Sequence, residues 1–158
     1  MFDLYVDGDA CPVKAEVEQV AARHGLAIII VSNGGLRPSR NPLVRHVTVG
    51  DGADAADDWI VEHAGAGDLV VTADIPLASR ALKKGARVLG PAGKPFTEDS
   101  IGMALGMRDL HRHLREATAG GQTYNAGFTK QDRSRFLGAL ENEIQAIRRA
   151  FAGRTSPA

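Results

Sequence analysis

Two aspartates that directly follow a short apolar run are the residues of this sequence best suited to chemistry. The stretch YVDGDACPVK places Asp7 and Asp9 two positions apart. Ionised carboxylates this close repel each other unless a cation or a shared proton lies between them. Carboxylate oxygens are the ligands that Mg²⁺ and Mn²⁺ prefer. The spacing therefore favours a divalent-metal site that could activate water and stabilise an in-line phosphodiester displacement.

Further acids fall where other predicted strands end. Asp74 ends the fourth predicted strand, while Asp54 and Asp58 open the helix after the third, four positions apart and so on one helix face. Taken singly, each could be a helix cap or a solvated surface charge. Taken together, we predict that Asp7, Asp9, Asp74 and one or both of Asp54 and Asp58 bind the metal. The predicted catalytic residues are Asp7, Asp9, Asp58 and Asp74.

The elements that must position these acids alternate between strand and helix through residue 90. The predicted strands are 2–6, 26–32, 44–50, 68–74 and 86–90. The first predicted helix begins at Pro12 and can end at Gly25, and two further helices are predicted over 54–64 and 75–85. This alternation predicts an α/β fold with a mostly parallel five-stranded sheet and helices on both faces. In such a sheet the ligand site lies beyond the carboxyl ends of the strands, near the switch point in strand order.

The sequence changes character after residue 90. The stretch GPAGKPF reads as a loop, and Thr97 can cap a helix that runs to about Glu116. A flexible loop is predicted over 118–128, and Thr129 can start a last helix. One side of that helix carries an apolar stripe, which we interpret as a core face. Its members are Phe136, Leu140, Ile144, Ile147 and Phe151.

We expect a single domain over residues 1–152, in which an α/β core of 1–90 is followed by a helical part of 97–152. Residues 153–158 are expected to form a flexible tail. The chain has 158 residues, 44% of them hydrophobic, and a single cysteine, which excludes an internal disulfide. It shows neither a signal-peptide pattern nor an apolar run long enough to span a membrane. A cytoplasmic protein without membrane contact is therefore predicted.

Charge is divided unevenly between the two halves of the chain, although the net charge is zero. Residues 1–75 hold 12 acids and 5 Lys/Arg, whereas residues 76–158 hold 7 acids and 14 Lys/Arg. This asymmetry indicates a polyanionic partner. The SNGG turn could cradle a phosphate through backbone N–H groups, and several basic residues could contact a phosphate backbone. The predicted phosphate-binding or nucleic-acid-binding residues are Ser32, Asn33, Arg37, Lys83 and Lys84.

Three stretches, DGDACPVK, GADAADDWIVEHA and GDLVVTADIPLASRALKKGARVLGP, resemble the YaiI/YqxD family of uncharacterised bacterial proteins, and the resemblance covers nearly the whole chain. That family is similar in turn to PIN-like nucleases. Asp7, Asp58 (with Asp54) and Asp74 match the acid pattern of those nucleases, and Asp9 is an additional acid. The chain departs from the family in YNAGF, which stands where a Gly-Pro-rich loop is usual.

The resemblance implies a PIN-like, Rossmann-like fold with a C-terminal helical extension. The activity it implies is Mg²⁺- or Mn²⁺-dependent phosphodiester hydrolysis, with RNA favoured over DNA as the partner and a homodimer left open. Two alternatives remain. The first is a non-catalytic PIN-like module that binds nucleic acid or metal without turnover. The second is a haloacid-dehalogenase-like phosphatase with Asp7 as nucleophile, Asp9 as general acid and Ser32 holding the phosphate.

Cys11 allows two interpretations of its own. A thiol near a helix N-terminus can have a lowered pKa and act as a nucleophile. The phosphatase loop that uses such a cysteine, however, needs an arginine six residues further on, and position 17 is valine. We therefore interpret Cys11 as a small packed residue beside the site.

Overall fold

The computed structural model describes residues 2–8, 11–34, 39–50, 55–102 and 129–155, the last five of these by their backbone alone. Several predictions lie outside the described residues. They concern Asp9, Arg37, Asp54, the side chain of Phe151, most of the helix predicted from Thr97, and the loop at 118–128. The tail predicted from residue 153 is described in part, and it is helical through Thr155.

Strands and helices alternate as the sequence predicts. The elements are β1 (Leu4–Asp7), α1 (Lys14–His24), β2 (Ile28–Ser32), β3 (Val44–Thr48), α2 (Ala55–His63), β4 (Leu69–Val71), α3 (Ile75–Lys83), β5 (Arg87–Leu89), β6 (Pro95–Phe96) and α4 (Lys130–Thr155). A helical turn at 98–102 follows β6. The predicted α/β class is therefore confirmed.

The strands form one mixed, mostly parallel sheet in the order β3-β2-β1-β4-β5-β6. The chain builds outward from β1 to β3 and then crosses back to place β4 on the other side of β1. Val6 accordingly pairs with Ile30 on one side and Val71 on the other, both in parallel. The switch point in strand order therefore lies between the carboxyl ends of β1 and β4.

The sheet has six strands, one more than the five predicted. Residues predicted to form a loop include β6, which pairs antiparallel with β5. The Gly- and Pro-rich composition that suggests a loop is compatible with a two-residue edge strand, because an edge position does not need the N–H that Pro95 lacks. The connecting turn is closed by the Gly90 N–H, which donates to the Lys94 carbonyl at 3.0 Å.

The helices cover both faces of the sheet, as predicted. Leu4 and Val6 of β1 point to the face covered by α1 and α4, whereas Tyr5 points to the face covered by α2 and α3. The apolar stripe of α4 packs into the first of these clusters, so its interpretation as a core face is confirmed. Its buried members are Phe136, Leu140, Ile144 and Ile147. No helix among the described residues is both long and apolar enough to cross a membrane.

Two threonines cap helices as their positions predict. The Thr97 hydroxyl accepts a hydrogen bond from the Ser100 N–H at 3.1 Å. At the start of α4, the Thr129 hydroxyl accepts from the Asp132 N–H, and the Asp132 carboxylate accepts from the Thr129 N–H, each at 3.0 Å. This reciprocal pair fixes the beginning of α4, since it satisfies two donors that the helix itself cannot.

Replacing Gly93 by alanine is expected to lower the free energy of unfolding by about 2 kcal/mol or more. Gly93 has a φ of +87°, and an added Cβ would lie 2.8 Å from the backbone carbonyl carbon of Arg135 in α4. Backbone cannot move aside as a flexible side chain can. Urea denaturation of the purified protein measures the change.

The matched control is Gly138→Ala, within α4. Gly138 is exposed, and an added Cβ there would meet nothing within 4 Å. Alanine in a helix interior is more favourable than glycine, so this variant should gain about 0.5–1 kcal/mol. Equal effects of the two substitutions would contradict the close approach of the β5–β6 turn to α4.

Candidate functional site

Asp7 ends β1 at the switch point and is 5% exposed. Thr72, directly after β4, is 1% exposed, and its hydroxyl donates a hydrogen bond to Asp7 Oδ2 at 3.1 Å. The same hydroxyl oxygen accepts from the Asp74 N–H at 3.0 Å. A hydroxyl has a single proton, so Thr72 directs it at Asp7 while the Asp74 N–H holds its oxygen. The ends of β1 and β4 are thus joined by a hydrogen-bonded chain from Asp7 through Thr72 to Asp74.

Asp74 has the structural role that its sequence position allows. It is the N-cap of α3, and its Oδ1 accepts from the Leu77 N–H at 3.0 Å. Pro76 in the first turn suits this start, because its missing N–H would have no partner there. Asp74 Oδ2 takes no hydrogen bond from any residue that the structure describes. One carboxylate oxygen therefore caps the helix, and the other can bind a ligand.

Asp58 lies apart from this chain of hydrogen bonds. It is on α2, its side chain is 55% exposed, and its Oδ1 lies 2.8 Å from the Arg80 guanidinium of α3. Across the described ranges, no three or more His, Cys, Asp or Glu residues are arranged to hold a metal ion. The proposed partners Asp9 and Asp54 lie outside those ranges. The metal site of four or five acids therefore stays a prediction. Of its proposed ligands, the structure links Asp7 to Asp74 through Thr72.

Ser32 ends β2, the strand on the other side of β1, and is buried. Asp7 pairs with Val31, so Ser32 lies at the same carboxyl edge as the aspartate. The Ser32 hydroxyl accepts a hydrogen bond from the Gly34 N–H at 3.3 Å, and Asn33 lies between them. This turn is near enough to the switch point to contribute to a phosphate site, and that role stays a prediction.

Lys83 and Lys84 lie at the C-terminal end of α3, away from the carboxyl edge of the sheet. Since α3 starts at the carboxyl edge and nine residues of helix span about 13 Å, its last residues lie toward the amino edge. The Lys84 ammonium donates to the Val61 carbonyl of α2. The structure thus does not bring these two lysines together with Asp7, and their contact with phosphate stays a prediction.

Cys11 is packed in the core cluster between the sheet and α1. Burial raises the pKa of its thiol to about 11, and the neighbouring Asp7 charge acts in the same direction. A raised pKa is the opposite of what a nucleophilic thiol needs. The geometry therefore agrees with the interpretation of Cys11 as a packed residue.

Alkylation of Cys11 at pH 8 is expected to be about 100-fold slower in the folded protein than in urea, because a shift of two pKa units lowers the thiolate fraction by that factor. The measurement is the rate of iodoacetamide labelling followed by mass spectrometry. Cys11 is the single cysteine, so Cys11→Ser provides the unlabelled control. Equal rates in the two states would show that the thiol is exposed or activated.

Sequence reasoning missed two polar residues at this edge. Thr72 stands two positions before Asp74, between a buried strand and a helix cap, and that position could have indicated a hydroxyl facing the site. Lys14, the first residue of α1, donates from its ammonium group to the Gly8 carbonyl at 2.9 Å and the Cys11 carbonyl at 3.1 Å. The feature of the sequence that could have drawn attention to Lys14 is its place at the start of a predicted helix, where a positive charge is unfavourable.

The chain is thus an α/β protein with a mostly parallel sheet and two linked aspartates at the switch point of its carboxyl edge. It belongs to the family described as "Uncharacterized BCR, YaiI/YqxD family", whose model matches residues 5–146. A UPF0178 protein of Mesorhizobium japonicum is 62% identical over 152 residues, covering 96% of each chain. One from Parvibaculum lavamentivorans is 61% identical and covers 94% of this chain and 97% of its own length. No solved structure matches the chain.

Proposed function

We propose that this protein is a metal-dependent phosphodiesterase that cleaves RNA at the edge between β1 and β4, and that its fold is of the PIN-like class. The observation that carries the proposal is the burial of Asp7 at the switch point, joined through Thr72 to Asp74. A carboxylate withdrawn from water is costly unless polar or charged partners compensate it. A buried carboxylate at the place where α/β sheets bind ligands is a candidate for a functional role.

The donor atoms at this edge suit Mg²⁺ or Mn²⁺. Asp7 and Asp74 supply carboxylate oxygens, and hard divalent cations prefer oxygen ligands. Asp9, and one or both of Asp54 and Asp58, would complete the set, which for Asp58 requires release from Arg80. The bound ion would supply an activated water and stabilise the charge that develops on the phosphate.

The protein's own residues would orient these ligands. Thr72 fixes one oxygen of Asp7 by donating its proton to it, and the N-cap hydrogen bond to Leu77 fixes the rotamer of Asp74. Ligands held in this way need little reorganisation when the ion binds. The excess of basic residues in 76–158 supports a polyanionic substrate, since it offsets the repulsion of the acidic first half.

The test is a labelled single-stranded RNA incubated with the purified wild-type protein in Mn²⁺, Mg²⁺ or EDTA, alongside thermal melting over the same Mn²⁺ concentrations. Cleavage that needs the metal, together with a rise in melting temperature, supports the proposal, because an ion that binds the native state must stabilise it. A rise in melting temperature without cleavage of RNA or DNA would favour the binding module. Turnover of a small phosphoester alone would favour the phosphatase.

A further inference from the structure

The edge of the sheet formed by β3 presents backbone groups that the described part of the chain does not pair. β3 is the outermost strand on its side, and its inner neighbour is β2. The Val49 N–H donates to the Ser32 carbonyl at 2.9 Å and so points inward to β2. Because this direction alternates along a strand, the N–H and C=O groups of His46 and Thr48 point outward. No residue that the structure describes bonds these four groups.

The described part of the connection from β2 to β3 packs against one face of β3. Ser39 in this connection donates from its hydroxyl to Glu18 of α1 and from its N–H to His46 Nε2, the latter at 3.2 Å. An added Cβ at Gly34 would meet Thr48 Cγ2 at 3.6 Å on the same side of the sheet. These residues cover side chains of β3 on the α1 face and leave the outward backbone groups of His46 and Thr48 uncovered.

The opposite face of β3 has apolar side chains that the helices cover only in part. Val47 and Val49 point to the α2 side and are half-buried, as are Ile29 and Trp59 on the same face. The reason is that α2 packs on β1 and β2 rather than over β3. The strip along β3 therefore combines an open hydrogen-bond ladder with partly exposed apolar surface. Another strand satisfies both, because it supplies backbone groups and apolar side chains together.

The two edges of the sheet differ in their capacity to pair. β6, at the far edge, has two residues, and Pro95 has no N–H to donate. Short strands, proline and lysine are common protections of an edge. β3 has five residues, none of them proline or lysine. This contrast favours β3 as the pairing edge.

A second copy of this chain fits the strip, because antiparallel pairing of β3 with itself about a two-fold axis is self-complementary. When the axis passes beside Val47, His46 lies opposite Thr48 of the second copy. Each such pair then exchanges its outward N–H and C=O groups. The half-buried Val47 side chains meet at the centre, where they remove apolar surface from water.

Charge favours the same arrangement. Arg45 is exposed and lies on the α2 face with Val47, since side chains alternate along the strand. The axis places Arg45 opposite Val49 of the second copy, at the carboxyl edge where α2 begins with Asp57 and Asp58 in its first turn. The two Arg45 residues stay about 13 Å apart along the strands. Each cation thus faces the acidic edge of the other copy, and like charges are kept apart.

We propose that β3 is the interface of a symmetric homodimer, in which the two β3 strands pair antiparallel about Val47 and join the two sheets. The proposal is independent of the proposed function, because β2 separates β3 from the switch point at β1 and β4. The carboxyl edges of the two copies point in opposite directions, so both remain accessible to ligands.

Sedimentation velocity of the full-length wild type, from about 1 to about 100 µM, should show a species of twice the mass of the chain. Thr48→Pro removes an outward N–H without removing a bond to β2, and proline is tolerated in edge strands. This variant should dimerise at least about 10-fold more weakly, whereas Thr48→Ala, which keeps the N–H, should match the wild type. Circular dichroism checks the fold. A monomeric wild type, or an unchanged dimer in folded Thr48→Pro, would overturn the proposal.

A second readout tests the register without proline. Cys11→Ser removes the single native thiol, and Val47→Cys in that background places two thiols opposite each other across the axis. Cα atoms of such a non-hydrogen-bonded pair are about 4.5 Å apart, within the range of a disulfide. Mild oxidation should therefore link the chains as a dimer on a non-reducing gel. Arg45→Cys, on the same face but opposite Val49, should link at least about 10-fold more slowly. Equal linking of the two variants would overturn the proposed pairing.

Discussion

Replacing Asp7 by asparagine is expected to reduce Mn²⁺-dependent RNA cleavage by more than about 100-fold without loss of folding. Asparagine has the shape of aspartate, and its amide oxygen can still accept the hydrogen bond that Thr72 donates to Asp7 Oδ2. The substitution therefore removes the negative charge while it keeps the shape of the side chain and the acceptor for Thr72. The measurement is the initial rate of cleavage of a labelled RNA, with circular dichroism to check the fold.

The same variant should also respond differently to metal in a thermal melt. Asp7 is almost fully buried, and asparagine keeps the shape of the side chain and an acceptor for Thr72. The metal-free variant should thus still fold and unfold cooperatively. The stabilisation by Mn²⁺, about 2.7 kcal/mol at a concentration 100 times the dissociation constant, should be lost.

Asp74→Asn provides the matched test of the second ligand, because asparagine and aspartate are comparable N-cap residues. The Leu77 N–H would keep its acceptor while the charge is lost, so cleavage should fall and stability should change little. Asp74→Ala should additionally lose about 1 kcal/mol of stability. Asp99→Asn, at an exposed acid, is the control with wild-type activity. Cleavage by Asp7→Asn at the wild-type rate would contradict the catalytic role of Asp7.

Replacing Phe136 by alanine is expected to lower the free energy of unfolding by about 3–5 kcal/mol. Phe136 is fully buried and is among the largest such side chains of the described residues. It lies in the cluster that α1 and α4 form on the sheet, together with Leu140 and Ile144. Truncation removes apolar contacts and leaves a cavity that the surrounding helices fill only partly. A loss of this size is a large share of the total stability of a domain.

The measurement is urea denaturation followed by far-UV circular dichroism. Gln131→Ala, at an exposed position in the first turn of α4, is the control and should change stability by less than about 0.5 kcal/mol. A change below about 1 kcal/mol for Phe136→Ala would contradict the docking of α4 on the sheet.

Local patterns in the sequence were sufficient for most of the fold. The continuous apolar run at 26–32 predicted a strand buried on both faces, and the structure buries Ile28 and Ile30 in one core cluster and Val31 in the other. The stripe on α4 predicted its core face because helical periodicity places Phe136 and Leu140 on one side. Thr97 and Thr129 predicted helix starts, since a capping hydroxyl acts within its own turn. The exception was β6, whose pairing with β5 is a contact between segments that composition alone did not indicate.

The sequence by itself determined the α/β class, the helix caps and the presence of acids at strand ends, because each depends on neighbours within a few residues. Only the tertiary structure decided which acids meet. Strand order places β4 beside β1, so that Thr72 joins Asp7 to Asp74, whereas Asp58 pairs with Arg80 across two helices. The physical reason is that periodicity shows which face of an element is buried, but not which other element will lie against it.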